Sequence, residues 1–164
     1  MELRQVTLAD VARIREFMIT AWTESGPGAM GFTGATDEVM QEITSESFIR
    51  KLLTNPDTHL FIAQSEGRTM GFSSLKSVGP DVTELSGLIV LERDRGKGVG
   101  TALLEKALNV AKEQGFKRVE VKTEAFNLQA IAFYKSHGFQ NAGRVKENIE
   151  GTVVDLLVLE RKLP

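Results

Sequence analysis

The chain has 164 residues, 41% hydrophobic and 26% charged, with 20 basic against 22 acidic side chains and a net charge of −2. That usage fits one globular domain over residues 1–164 and excludes a wholly disordered, collagen-like or fibrous chain. Cysteine is absent, which removes disulfides, thiolate metal sites and a cysteine nucleophile. The only histidines, His59 and His137, lie far apart, so a zinc site or a His-centred triad is poorly supplied and no metal is expected. No basic block points to nucleic acid, and no apolar run approaches the ~20 residues that span a bilayer. The opening Met1-Glu2-Leu3-Arg4 has no apolar core behind it, so the expected compartment is the cytoplasm.

In chain order, Leu3 to Val6 reads as a short strand. Thr7 with Asp10 three residues on forms a capping-box pattern, and Val11, Ile14, Met18 and Trp22 follow at helical spacing. This helix is expected to end near Trp22. The stretch from Thr23 to Thr36 is rich in glycine, with Gly26, Pro27, Gly28, Gly31 and Gly34 around Met30 and Phe32; it reads as a surface loop or a lid. A second helix is expected from about Asp37 to Leu53, stopped by Asn55-Pro56. Three strands follow: Leu60 to Gln64, Thr69 to Lys76, and Thr83 to Leu91.

Beyond Arg93-Asp94 an amphipathic helix carries Leu103, Leu104, Ala107, Leu108 and Ala111, and Gly115 sits where a terminating glycine belongs. Val119 to Thr123 alternates as a strand, Asn127 to His137 is a short helix closed by Gly138, and strands from Phe139 to Val145 and Val153 to Leu159 close the chain around Glu150-Gly151. The order is β-α-α-β-β-β-α-β-α-β-β. This predicts an α/β (α+β) fold: a mixed, mostly antiparallel sheet of about seven strands with one parallel crossover, flanked by four helices.

The informative segment joins the third of the consecutive strands to the amphipathic helix. Arg95, Gly96, Lys97, Gly98, Val99 and Gly100, with Thr101 opening the helix, set a glycine-rich turn and two cations at a helix N-terminus. Unpaired N–H groups and the positive end of the helix dipole suit a phosphate or pyrophosphate there. The Walker pattern fails because no Gly-Lys-Ser/Thr closes the loop. The Rossmann pattern fails because the glycines alternate late in the chain, after antiparallel strands.

The run Leu88-Ile89-Val90 through Arg95-Gly96-Lys97-Gly98-Val99-Gly100 to Leu103-Leu104 resembles the coenzyme A signature of the GNAT superfamily of N-acetyltransferases. That signature is Arg/Gln-x-x-Gly-x-Gly/Ala, matched by Arg95, Gly98 and Gly100. Downstream, Asn127, Ala130, Phe133, Tyr134, Gly138 and Phe139 resemble the family's Asn-x-x-Ala-x-x-x-Tyr followed by Gly-Phe. Together with the element order the likeness covers nearly the whole chain; only Thr23 to Thr36 matches no shared pattern.

The resemblance implies acetyl-CoA as co-substrate, its pyrophosphate held by Arg95 through Gly100 and Thr101. It implies that the strand at Leu88, Ile89 and Val90 splays from its parallel neighbour, so that the pantetheine arm pairs with it and one amide polarises the thioester carbonyl. Tyr134, the sole tyrosine, falls at the family's tyrosine position as candidate general acid, protonated at neutral pH and able to donate to the sulfur. Asn127 is both an N-cap and, by resemblance, a contact for the CoA arm. Glu84 is the candidate general base, with Glu24 or an ordered water as competitors. Without a cysteine, direct attack by a primary amine in a ternary complex is expected.

The resemblance further implies that the first two helices and their connection wall the acceptor site, which maps to Trp22 through Phe32 and on to Met40. Glu24, Asp37 and Glu38 stand there to attract a cationic amine. The acceptor remains open between a small amine, an amino acid and a protein amine, and dimerisation is left open. Alternatives are a non-catalytic acetyl-CoA sensor of the same fold, a different nucleotide binder, and transfer of a longer acyl group or to an oxygen acceptor.

Overall fold

The computed structural model describes residues 1–26, 35–149 and 151–164. Seven strands form one sheet: β1 (Glu2–Gln5), β2 (Thr58–Ser65), β3 (Arg68–Ser77), β4 (Val82–Val90), β5 (Arg118–Glu124), β6 (Gln140–Ile149) and β7 (Thr152–Lys162). Their order across the sheet is β1-β2-β3-β4-β5-β7-β6. Every neighbouring pair is antiparallel except β4 with β5, which is parallel. Five helices accompany them: α1 (Val11–Ser25), α2 (Asp37–Ile43), α3 (Glu46–Thr54), α4 (Val99–Glu113) and α5 (Leu128–Ser136).

Strand alternation sorts the apolar side chains onto two faces. Leu60 and Ile62 of β2 join Phe72 and Ile89 beneath the α1 stripe of Val11, Ile14, Phe17, Met18 and Ala21. Phe61 and Ala63, one residue out of phase, join Met70, Leu75 and Leu85 beneath the α4 stripe of Leu103, Leu104, Ala107, Leu108 and Ala111. β3 is covered on both sides and is buried almost throughout. Gly71 at its centre lets α4 approach: a Cβ there would stand 2.7 Å from Leu103 Cδ1 and 3.0 Å from the Ile89 carbonyl.

Three boundaries differ from the sequence reading. The capping box at Thr7 heads a 3-10 turn over Leu8–Asp10, and α1 then runs on to Ser25, where the Gly26 N–H bonds the Trp22 carbonyl. The expected helix from Asp37 to Leu53 is two helices, which raises the count from four to five. Thr44 turns its hydroxyl back to the Met40 carbonyl at 2.7 Å, and Ser45 then caps α3 by accepting from the Phe48 N–H. Such hydroxyls compete with the helical ladder. β6 runs on past the expected Val145 to Ile149 and β7 past Leu159 to Lys162, while Glu150 of the expected turn lies outside the described residues.

Candidate active site

β4 and β5 pair only at Val82–Arg118, Thr83–Val119 and Glu84–Glu120. Beyond these the parallel strands part, and from Leu85 to Val90 the β4 edge away from β3 has no strand partner among the described residues. A bulge reinforces the divergence: Ser74 faces Gly87 and Leu75 faces Leu85, leaving Ser86 extra, its hydroxyl 2.7 Å from that of Ser74. Into the gap opens a cleft of about 680 Å³.

Nearly all the expected residues line this cleft: Glu84, Leu88, Ile89 and Val90 from β4, Arg95, Gly96, Gly98, Val99, Gly100 and Thr101 from the loop and α4, and Asn127 and Tyr134 from α5. At its loop end, Gly98 is the N-cap of α4 with φ +83°, in the left-handed region. The first helical bond there runs from the Ala102 N–H to the Gly98 carbonyl, so the amides of Val99, Gly100 and Thr101 are the free N-terminal donors. Arg95 donates from Nε to the Val90 carbonyl at 3.3 Å and ties the loop to β4.

Lys97 departs from expectation: it does not line the cleft but turns back to Asp94, Nζ to Oδ1 at 3.5 Å. Asp94 is fully buried and takes a bidentate pair from Arg68 of β3, both bonds at 2.7 Å. The Arg68 guanidinium holds the Asp94 carboxyl below the usual carboxylate range. Together these charges anchor the base of the loop.

α5 packs its aromatic side chains along the cleft. Tyr134 is 8% exposed and makes edge contacts with Phe133 and Phe139 at 5.3 and 5.5 Å. Burial pushes its phenol well above its ordinary value, so the hydroxyl keeps its proton. Asn127 caps α5, accepting from the Ala130 N–H at 3.2 Å, and its Nδ2 group has no protein partner among the described residues. His137 ties α5 to α4: its Nδ1 lies 2.8 Å from the Phe133 carbonyl and its Nε2 3.2 Å from the Thr101 hydroxyl.

The other end of the cleft lies where β4 and β5 still pair. Glu84 is half-buried there, and burial raises its carboxyl above the ordinary range, with Lys122 opposing the shift. Lys122 of β5 and Glu147 of β6 share this end and form an ion pair at 2.6 Å. Ser25, at the end of α1, and apolar Ile149 and Leu156 also line the cleft.

Part of the expected acceptor wall, residues 27–34, lies outside the described residues. Ser25 is the wall's one member in the lining among the described residues; Glu24, Asp37 and Glu38 are exposed outside it and Met40 is buried in the core. Trp22 is half-buried and outside the lining, and Met30 and Phe32 lie outside the described residues. Among those residues no group of three His, Cys, Asp or Glu side chains could hold a metal, and no helix is long and apolar enough to cross a membrane.

A seven-stranded sheet splayed at one parallel pair, with a helix N-terminus at the opening, defines the class of fold. The model of the Acetyltransferase (GNAT) family matches residues 16–139, and the chain belongs to that family of N-acetyltransferases. The uncharacterized N-acetyltransferase YjgM of Escherichia coli (strain K12) is 30% identical over 143 residues, covering 85% of this chain and 81% of that one. The PaiA N-acetyltransferase from Thermoplasma acidophilum, solved in complex with coenzyme A, superposes with a TM-score of 0.76 at 20% identity over 99% of this chain and 98% of that one. The ribosomal-protein-alanine N-acetyltransferase from Brucella melitensis gives 0.71 at 24% identity over 99% and 100%.

Proposed function

We propose that this enzyme transfers the acetyl group of acetyl-CoA to a primary amine by direct attack in a ternary complex. The observation that carries the reading is convergence. One cleft holds an anion cradle at the α4 N-terminus, an unpartnered β4 edge, a buried Tyr134 and a half-buried Glu84.

In this reading the pyrophosphate sits on the amides of Gly98 to Thr101 with Arg95 beside it. The pantetheine arm extends along Leu88 to Val90, and the Asn127 Nδ2 group donates to it. The acceptor enters from the Glu84 end as an ammonium ion, since a free alkyl amine titrates near ~10.4. Glu84 takes its proton. The neutral nitrogen attacks the thioester carbon, the C–N bond forms, and a β4 amide donates to the developing oxyanion. The C–S bond then breaks, Tyr134 Oη passes a proton to the sulfur, and the second proton lost by the attacking nitrogen restores the Tyr134 hydroxyl, while Glu84 releases the first to solvent. The sum is ammonium plus thioester giving amide, free CoA thiol and one proton. Glu24 is exposed outside the cleft lining, which favours Glu84 or a water held by it as the base.

The N-terminal amine of a protein is one acceptor class, supported by the name of the Brucella neighbour. A small-molecule amine suits the same opening. The variants Tyr134→Phe and Glu84→Gln test the assignment. Each should lose at least about 10²-fold in kcat while binding CoA as tightly as the parent. Full turnover in either variant would remove that residue from the mechanism.

A further inference from the structure

The reaction as described leaves the Lys122–Glu147 pair unused, although both side chains stand in the acceptor end of the cleft. Lys122 follows Glu120 by two residues on β5, and Glu120 is the register partner of Glu84. Lys122 and Glu84 therefore rise from the same face of adjacent strands. Yet the Lys122 ammonium is 2.6 Å from Glu147 Oε1, reached across β7 from the edge strand, and makes no ion pair with Glu84 among the described residues.

The other charges facing Glu84 are already engaged or solvated. Glu120 is 3.6 Å from the Arg118 Nε, and Lys76, opposite Glu84 on β3, is exposed. A carboxylate locked in a direct pair with a lysine is a poor proton acceptor, while one with no cation nearby resists ionising when half-buried. The observed arrangement lies between these extremes.

Resting on the reading of Glu84 as base, we propose that Lys122 and Glu147 are positioning residues. Glu147 holds the Lys122 cation near Glu84 without letting the two pair directly, so that Glu84 ionises and still accepts the amine's proton. Glu147 also keeps the Lys122 amine firmly protonated, so it does not compete as an acceptor.

The side-chain carboxyl carbons of glutamate, labelled with 13C in the full-length protein, report the Glu84 titration directly, with Glu84→Gln assigning the resonance. Lys122→Met should move the midpoint to higher pH by about one unit, because the supporting cation is gone. Glu147→Gln should move it to lower pH, because the released cation turns to Glu84. Lys122→Arg should stay near the parent. Unmoved midpoints in both Lys122→Met and Glu147→Gln would overturn the proposal, as would shifts of the same sign. Full acetyl transfer by Glu84→Gln would instead overturn the reading of Glu84 as base, whatever the titration shows. The two failures are thus separable.

Discussion

The two glycines of the signature are not equivalent, and alanine at each should have opposite effects. Gly98 holds φ +83°, a conformation that costs an L-residue about 1–2 kcal/mol. Stiffening of the unfolded chain returns about 0.4–1 kcal/mol, so Gly98→Ala should lose about 1 kcal/mol net. For a domain of this size that lowers Tm by about 2–4 °C. Among the described residues beyond its chain neighbours, a Cβ at Gly98 meets no atom within 4 Å, so the cost is conformational. Relief of that strain re-aims the α4 amides. Loss of one bond to a charged phosphate, about 1.5–3 kcal/mol, weakens CoA binding about 10- to 100-fold. Gly100 lies inside α4, and its Cβ would meet Phe133 Cζ at 3.6 Å and Val90 Cγ2 at 3.7 Å, ordinary contacts. Gly100→Ala should therefore gain up to about 1 kcal/mol of helix stability and keep CoA affinity within about threefold. Thermal unfolding and calorimetric titration with CoA measure both quantities. Unchanged CoA affinity in Gly98→Ala would refute the placement of the pyrophosphate on this loop. This difference also explains why the signature admits alanine only at its second glycine.

Gly71→Ala should cost about 1–3 kcal/mol, a Tm drop of about 2–12 °C, because its Cβ runs into Leu103 and the Ile89 backbone; a neutral result would mean α4 can slide away. Arg68→Ala should weaken CoA binding by loosening the loop that Asp94 anchors. The Asp94 carboxyl lies below its ordinary value, so its stabilising pair is present above the ordinary carboxylate range and lost on acidification. Arg68→Ala should accordingly flatten the fall of Tm at acid pH, and an unchanged profile would count against the anchor. Glu84 runs the other way. Its carboxyl is raised, so the fold is favoured below the ordinary carboxylate value and loses that advantage as pH rises through the raised one. Glu84→Gln should raise Tm at neutral pH while losing at least about 10²-fold in kcat, and a lower Tm there would contradict its burial as the cause of the shift.

Local signals made much of the molecule legible. The α4 stripe, the glycine at a helix start and the Asn127 cap are each written within a few residues, and the chain folds accordingly. The broken helix at Thr44–Ser45 was obscured because its apolar pattern continues across the break, while two hydroxyls end one helix and start the next. In the sequence Lys97 reads as a cation for the phosphate, and Asp94 carries no signal of its own. Only the fold brings Arg68, 26 residues away, onto Asp94, and turns the exposed Lys97 back to it. Lys122 and Glu147 likewise sit on strands separated by β7, and polar residues in alternating strands look like a wet face until the sheet order is known. The Glu84 end was the least legible part because it is assembled from β4, β5 and β6, with no contiguous motif.

Release of free CoA thiol from acetyl-CoA by the parent enzyme, measured against a panel of amines that includes peptides with N-terminal alanine, tests the central claim most directly. The account predicts release that depends on one amine class, with the acetyl group recovered on that amine's nitrogen. A chain that binds no CoA, or one that binds acetyl-CoA and acetylates no amine of any class, would contradict it.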